Sequence, residues 1–201
     1  MNPEPETPDA SPAVGATRPL TARFALRAAT GEAHDRLDAL YSAFDLGRPA
    51  DYATFLLSHA PAFLAVEAAL DAAGAETVID GWAGRRRSGA LKADLTALDL
   101  RVPAPATFPA LDGEAAILGA AYVLEGSRLG GAMLVRTVGH GLPTAFLTPG
   151  NPSDWRAFIS RLDERLSSEE SLADAASAAL SVFTLFERSA LAAPEPIARD
   201  L

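Results

Sequence analysis

Two short runs carry the residue types from which chemistry can be built. The first is Leu26-Arg27-Ala-Ala-Thr30-Gly-Glu-Ala-His34, and about ninety residues later comes Tyr122-Val-Leu-Glu-Gly126-Ser127-Arg-Leu-Gly130-Gly131. At about 100° per residue, Leu26, Ala33, Leu37, Leu40 and Phe44 form one apolar stripe, with Arg27, Thr30, His34 and Tyr41 along its flank. His34 therefore sits at the edge of a buried face, where an imidazole is available to a metal or a proton. Arg27 precedes it by seven residues, roughly 10 Å along a helix axis. That is the order of distance from the metal of a porphyrin to its carboxylate rim. Taken alone, His34 reads as an ordinary boundary histidine.

The second run changes the balance. Glycine costs roughly 1 kcal/mol relative to alanine inside a helix, so Gly126, Gly130 and Gly131 in one apolar helix imply that something approaches the backbone there. On a wheel they share a face with Val123, Ser127 and Leu134, while Glu125 and Arg128 lie opposite as an i,i+3 pair facing solvent or a neighbouring helix. Close packing of two helices through small residues is one explanation, and a flat ligand lying on main-chain atoms is the other. With the histidine run, the pattern suggests a slot for a flat, anionic, iron-containing ligand.

The first run, extended to Leu37-Asp38, resembles the proximal-helix signature of heme oxygenases. The glycine run resembles the distal helix of their bacterial branch, which includes enzymes that supply biliverdin to bacterial phytochromes. Residues 179–187, with Phe183-Thr-Leu-Phe186-Glu187, look like the family's closing helix. The resemblance spans roughly residues 20 to 192. It implies a single-domain, all-α fold with heme between a proximal and a distal helix, and oxidative cleavage of heme to biliverdin with release of carbon monoxide and ferrous iron. Heme is then both substrate and oxygen-activating centre. The implied iron ligand is His34, with Arg27, Thr30, Tyr122 and Arg156 contacting the ligand, Arg161 assisting, and Gly126, Ser127, Gly130 and Gly131 forming the catalytic distal wall. Animal-type members carry an aspartate where this chain has Ser127. The implied partners are an electron donor, such as ferredoxin or a flavoprotein reductase, and a bacterial phytochrome as biliverdin acceptor. A heme-binding protein of the same fold without turnover, or a helical interaction module, are the competing readings.

Composition sets the outer limits. The chain has 201 residues, 49% hydrophobic, and no cysteine, so iron ligation falls to His, Tyr or carboxylate. A net charge of −9 without a basic run argues against nucleic acid or an anionic membrane as partner. Residues 1–18, rich in proline and acids, read as a disordered tail ahead of a helical domain over 19–195. The N-terminus shows no leader pattern, and the expected location is the cytoplasm. Residues 115–135 are apolar enough to suggest a membrane span, but Glu125 and Arg128 at their middle favour a buried protein helix. Helical periodicity covers 20–44, 51–73, 81–98, 113–138, 154–166 and 172–191, with proline and glycine breakers between them. Pro61 should kink its helix or mark a late start. His59 reads as structural and His140 as a second candidate iron ligand beside helix-terminal carbonyls. Arg85-Arg86-Arg87 reads as a solvated turn or helix start, or else as a dock for an acidic electron-transfer protein.

Overall fold

The computed structural model describes residues 21–193, so the expected tail over 1–18 and the outermost residues of the 19–195 domain lie outside the described part. Eight α-helices follow in order: α1 (Ala22–Tyr41), α2 (Pro49–Ala72), α3 (Ala75–Val78), α4 (Trp82–Arg85), α5 (Ser88–Ala97), α6 (Gly113–Leu134), α7 (Pro152–Arg165) and α8 (Glu169–Leu191). Single 3-10 turns lie at Val135–Thr137 and Ala145–Leu147. Among the described residues there is no strand.

Helix boundaries follow local chemistry. Pro49 and Pro152 each occupy a first helical turn, where the missing N–H costs nothing. Asn151 caps α7 by accepting from the Ser153 amide. Helix α8 starts at Glu169, ahead of the expected residue 172, because Ser168 and Ser171 form a reciprocal capping box and Glu169 and Glu170 complement the helix dipole. Helix α2 runs from Pro49 through Pro61, so the expected late start does not occur. The expected helix over 81–98 is instead broken at Arg86-Arg87 into α4 and α5, for reasons that lie in the tertiary contacts described below.

Helix α8 is the hub, with α1, α2 and α6 all packed on it. Helices α6 and α8 approach closely because Gly119 has no side chain: a Cβ there would overlap the Ala175 carbonyl group. Leu26, Leu118, Ala175, Ala179, Val182 and Phe183 fill the space among these helices. Helix α2 is the described helix long and apolar enough to cross a membrane, and 67% of its most apolar window is buried inside the protein.

His59 on α2 stacks on Tyr41, with ring centroids 4.1 Å apart, and contacts Phe55, Phe146 and Phe186. Its Nδ1–H donates to the Phe55 carbonyl at 2.8 Å. Burial, opposed by that bond and reinforced by Arg87, pushes its pKa from 6.5 down to about 4. His59 is thus a neutral core histidine, as its sequence context suggests. The unfolded chain takes up this proton below pH 6.5 while the folded chain resists it down to about pH 4. Its contribution to stability is therefore lost as pH falls through that window. Replacing His59 with Gln should remove roughly 2 to 3 kcal/mol of pH-dependent destabilisation between pH 7 and pH 4, read as the difference between wild-type and variant urea unfolding. A pH-independent difference would mean that His59 titrates normally.

Candidate active site

The proximal candidates on α1 separate into two groups. His34 is exposed, its side chain 59% accessible, and its Nδ1 lies 3.2 Å from Asp38 Oδ2 one turn on. The imidazole also meets the Phe183 ring edge-on at 6.1 Å. With the Asp38 carboxylate beside Nδ1, a proton placed there leaves Nε2 as the available lone pair. Thr30, by contrast, is buried and its hydroxyl donates to Leu26 O at 2.8 Å, so its hydroxyl is committed to the helix backbone. Arg27 is exposed and lies close enough to Tyr122 on α6 to oppose, together with Arg23, the upward push of burial on the Tyr122 hydroxyl. The Tyr122 ring lies 6.3 Å from Trp155 of α7, and the Arg23 guanidinium sits 5.9 Å from the Trp155 centroid. Arg156, the next residue, is exposed. Arg23 was not singled out in the sequence, although its position four residues before Arg27 places both on one face. Arg161 does not join them, because it pairs with Asp80 at 3.0 Å. His140 is exposed in the turn that follows Val135–Thr137.

On α6 the three glycines are not equivalent. A Cβ on Gly126 or Gly130 would meet nothing within 4 Å, whereas one on Gly131 would lie 3.5 Å from the Leu147 side chain. Gly126 and Gly130 thus border open space, and Gly131 lies against the Ala145–Leu147 turn at ordinary van der Waals distance. Beside the open glycines, Leu129 and Met133 are exposed, as is Phe24 on α1. A flat apolar ring would cover such side chains.

The arginine cluster departs most from its sequence reading. Arg85 and Arg87 are buried and only Arg86 is exposed, so the cluster is neither a solvated turn nor a basic dock. Arg85 pairs with Glu125 at 2.9 Å and donates to the Asp80 and Asp154 carbonyls. Glu125 also holds Arg128 at 3.2 Å, and Arg128 donates to Arg85 O. Glu125 and Arg128 therefore face a neighbouring segment and not solvent. Arg87 lies between the rings of Phe63 and Phe146, at 4.7 and 5.1 Å. Its Nη2 donates to Leu124 O at 2.7 Å and to Ser127 Oγ at 2.5 Å. Burial, aided by Arg128 and opposed by Glu125 and Glu67, pushes its pKa down to about 9, which still leaves a cation at neutral pH. Ser127 gives its own proton to Leu124 O at 2.7 Å. Its remaining lone pair is an acceptor.

The arrangement fits an iron porphyrin. The residues it brings to these helices are an exposed imidazole on α1, backbone left open at Gly126 and Gly130 on α6, exposed apolar side chains on both helices, and cations near Tyr122. No group of three or more His, Asp and Glu side chains among the described residues can hold a metal ion, so an iron here brings its own equatorial ligands.

Comparison with known proteins agrees. No family model matches the chain. A heme oxygenase of Xanthomonas campestris pv. campestris (strain 8004) is 37% identical over 127 residues, covering 58% of this chain and 74% of that protein. The solved nitric oxide- and carbon monoxide-bound heme oxygenase of Neisseria meningitidis superposes with a TM-score of 0.68 at 24% identity, covering 86% of this chain and 91% of that one. The second likeness shows the all-α fold. With the first, it follows that the chain belongs to the heme oxygenase family.

Two glycines on one helix should respond oppositely. Gly130→Leu should leave apo melting unchanged or slightly raised, since the site is open and leucine is the better helix former, while weakening heme affinity about tenfold or more. Gly119→Ala should lower apo stability by about 2 to 3 kcal/mol through overpacking. Heme titration and thermal melts of both variants check this, and early melting with full heme affinity for Gly130→Leu would assign that glycine to packing.

Proposed function

We infer that this chain performs the family's reaction, cleaving heme to biliverdin with release of carbon monoxide and ferrous iron. The observation that supports the residue assignment is an exposed His34 beside Asp38 on α1 together with open backbone at Gly126 and Gly130 on α6. Bound heme supplies the iron that activates dioxygen and the ring that is oxidised. The protein positions it. His34 Nε2 would hold the iron, with Asp38 beside Nδ1 favouring that tautomer. Arg27, with Arg23 and Arg156, meets the carboxylate rim, and Tyr122 lines the same end. On the far wall, Gly126 and Gly130 admit the ring against main chain. Ser127 accepts a hydrogen bond from water in the slot, because its own proton is directed to Leu124 O and its orientation is fixed by Arg87. The Arg87 cation behind it favours negative charge developing on that side. No protein nucleophile is needed.

A ferredoxin or flavoprotein reductase as electron donor, a bacterial phytochrome as biliverdin acceptor, and a cytoplasmic location belong to the same proposal. The two matched proteins, both bacterial, support its setting.

Anaerobic reconstitution with heme, then reductant and air, tests the activity: a Soret band giving way to a biliverdin spectrum is the enzyme, and a persistent band is a binder without turnover. His34→Ala should keep its far-UV circular dichroism, lose the imidazole-ligated heme spectrum and lose turnover on the order of 100-fold, with added imidazole restoring the ligated spectrum. An unchanged spectrum in that variant would transfer the ligand role to His140.

A further inference from the structure

Asp94 on α5 is 2% exposed and makes no ion pair among the described residues. A buried carboxylate without a cation is costly unless hydrogen bonds compensate it. Here its two oxygens take the amides of consecutive residues, Oδ1 from Ala145 at 3.0 Å and Oδ2 from Phe146 at 2.8 Å. Burial raises its pKa and the two amides oppose the rise. The turn so gripped is also tied two residues earlier, where the Tyr52 hydroxyl donates to Pro143 O at 2.7 Å.

Both side chains that follow lead to the glycine-rich wall. The Phe146 ring lies 5.1 Å from the Arg87 guanidinium, which in turn holds Ser127 Oγ at 2.5 Å. Leu147 fills the space directly behind Gly131. We infer that Asp94 is a positioning residue for heme cleavage: it clamps the Ala145–Leu147 turn so that Phe146 and Leu147 brace Arg87 and Gly131, fixing the distal wall from behind. The inference rests on the proposed role of that wall in the reaction. The clamp itself is a property of the heme-free chain. A two-oxygen grip on adjacent amides leaves the turn little freedom to rotate, so both braces are set at once. One amide partner would leave a hinge.

Asp94→Asn keeps the size of the side chain but exchanges one acceptor for a donor, so one amide loses its bond. In the heme-free protein, hydrogen exchange across residues 126–134 should accelerate about tenfold or more relative to α8. Leu70→Ala, which removes buried bulk near the end of α2, should accelerate both helices alike. In the loaded enzyme the ratio of biliverdin isomers should shift in Asp94→Asn and return towards wild type in Asp94→Glu, which keeps two acceptor oxygens. If Asp94→Asn does not fold, Phe146→Leu and Leu147→Ala, which spare the clamp and cut its two braces, should show the same localised acceleration. Equal acceleration of α6 and α8, no acceleration at 126–134, or an unchanged isomer ratio would each overturn the inference. Because exchange is read without heme, a chain that bound but did not degrade heme would still report on the clamp.

Discussion

One missing methyl group sets the spacing of the helices that carry the candidate site. Helix α6 reaches α8 with backbone nearly on backbone because Gly119 faces the Ala175 carbonyl, and any side chain there would push the helices apart. Helix α8 also carries Phe183, whose ring meets His34, and it packs along α1. The separation of His34 from the α6 glycines is therefore inherited from two contacts with a third helix. Interiors are close-packed and yield little, so such an indirect ruler holds its length.

The second constraint is electrostatic. Arg85, Arg87, Glu67 and Glu125 are buried, and burying charge is tolerated only where each group is paired or hydrogen-bonded. Glu67 accepts the Arg87 and Ser88 amides at 2.5 and 2.9 Å, capping α5 at the residue whose side chain reaches Ser127. Glu125 joins Arg85 and Arg128. Such networks contribute more to placement than to net stability, because desolvation offsets much of the attraction. Their effect here is to fix α4 and the start of α5 against the middle of α6, which brings a cation behind Ser127.

The helical runs were legible because apolar residues recur with a helical period and the connections hold proline and glycine. That Arg27 and His34 share one helix was legible for a related reason, whereas Tyr122 comes near Arg27 only through the packing of α6. What failed to show was long-range. Nothing local distinguishes Arg85-Arg86-Arg87 from a solvated basic turn, because apart from Asp80 the partners of Arg85 and Arg87 lie 20 to 69 residues away in sequence. Those same contacts break the helix expected over 81–98. Gly131 looked equivalent to Gly130 because both sit in one small-residue strip, and only the turn at Ala145–Leu147 separates their roles. Gly119 gives no local signal for the opposite reason, standing apart from the glycine cluster later in the same helix.

The overall charge of −9 looks unsuited to an anionic ligand, and the structure resolves the conflict by distance. At physiological salt, exposed charges are largely screened beyond about 8 Å, so what a carboxylate rim encounters is the nearest few side chains and not the sum. Arg23 and Arg27 stand close to Tyr122, and Arg156 follows Trp155 in the chain. Arg85, Arg87 and Arg128 are largely withdrawn into the interior, where they organise the far wall. The arginines thus divide by depth, with Arg27, Arg156 and the partly exposed Arg23 at the surface and the buried ones holding the α6 backbone. An acidic chain would accept a dianionic ring on those terms, since the cations that would matter stand near Tyr122 or are fixed behind α6.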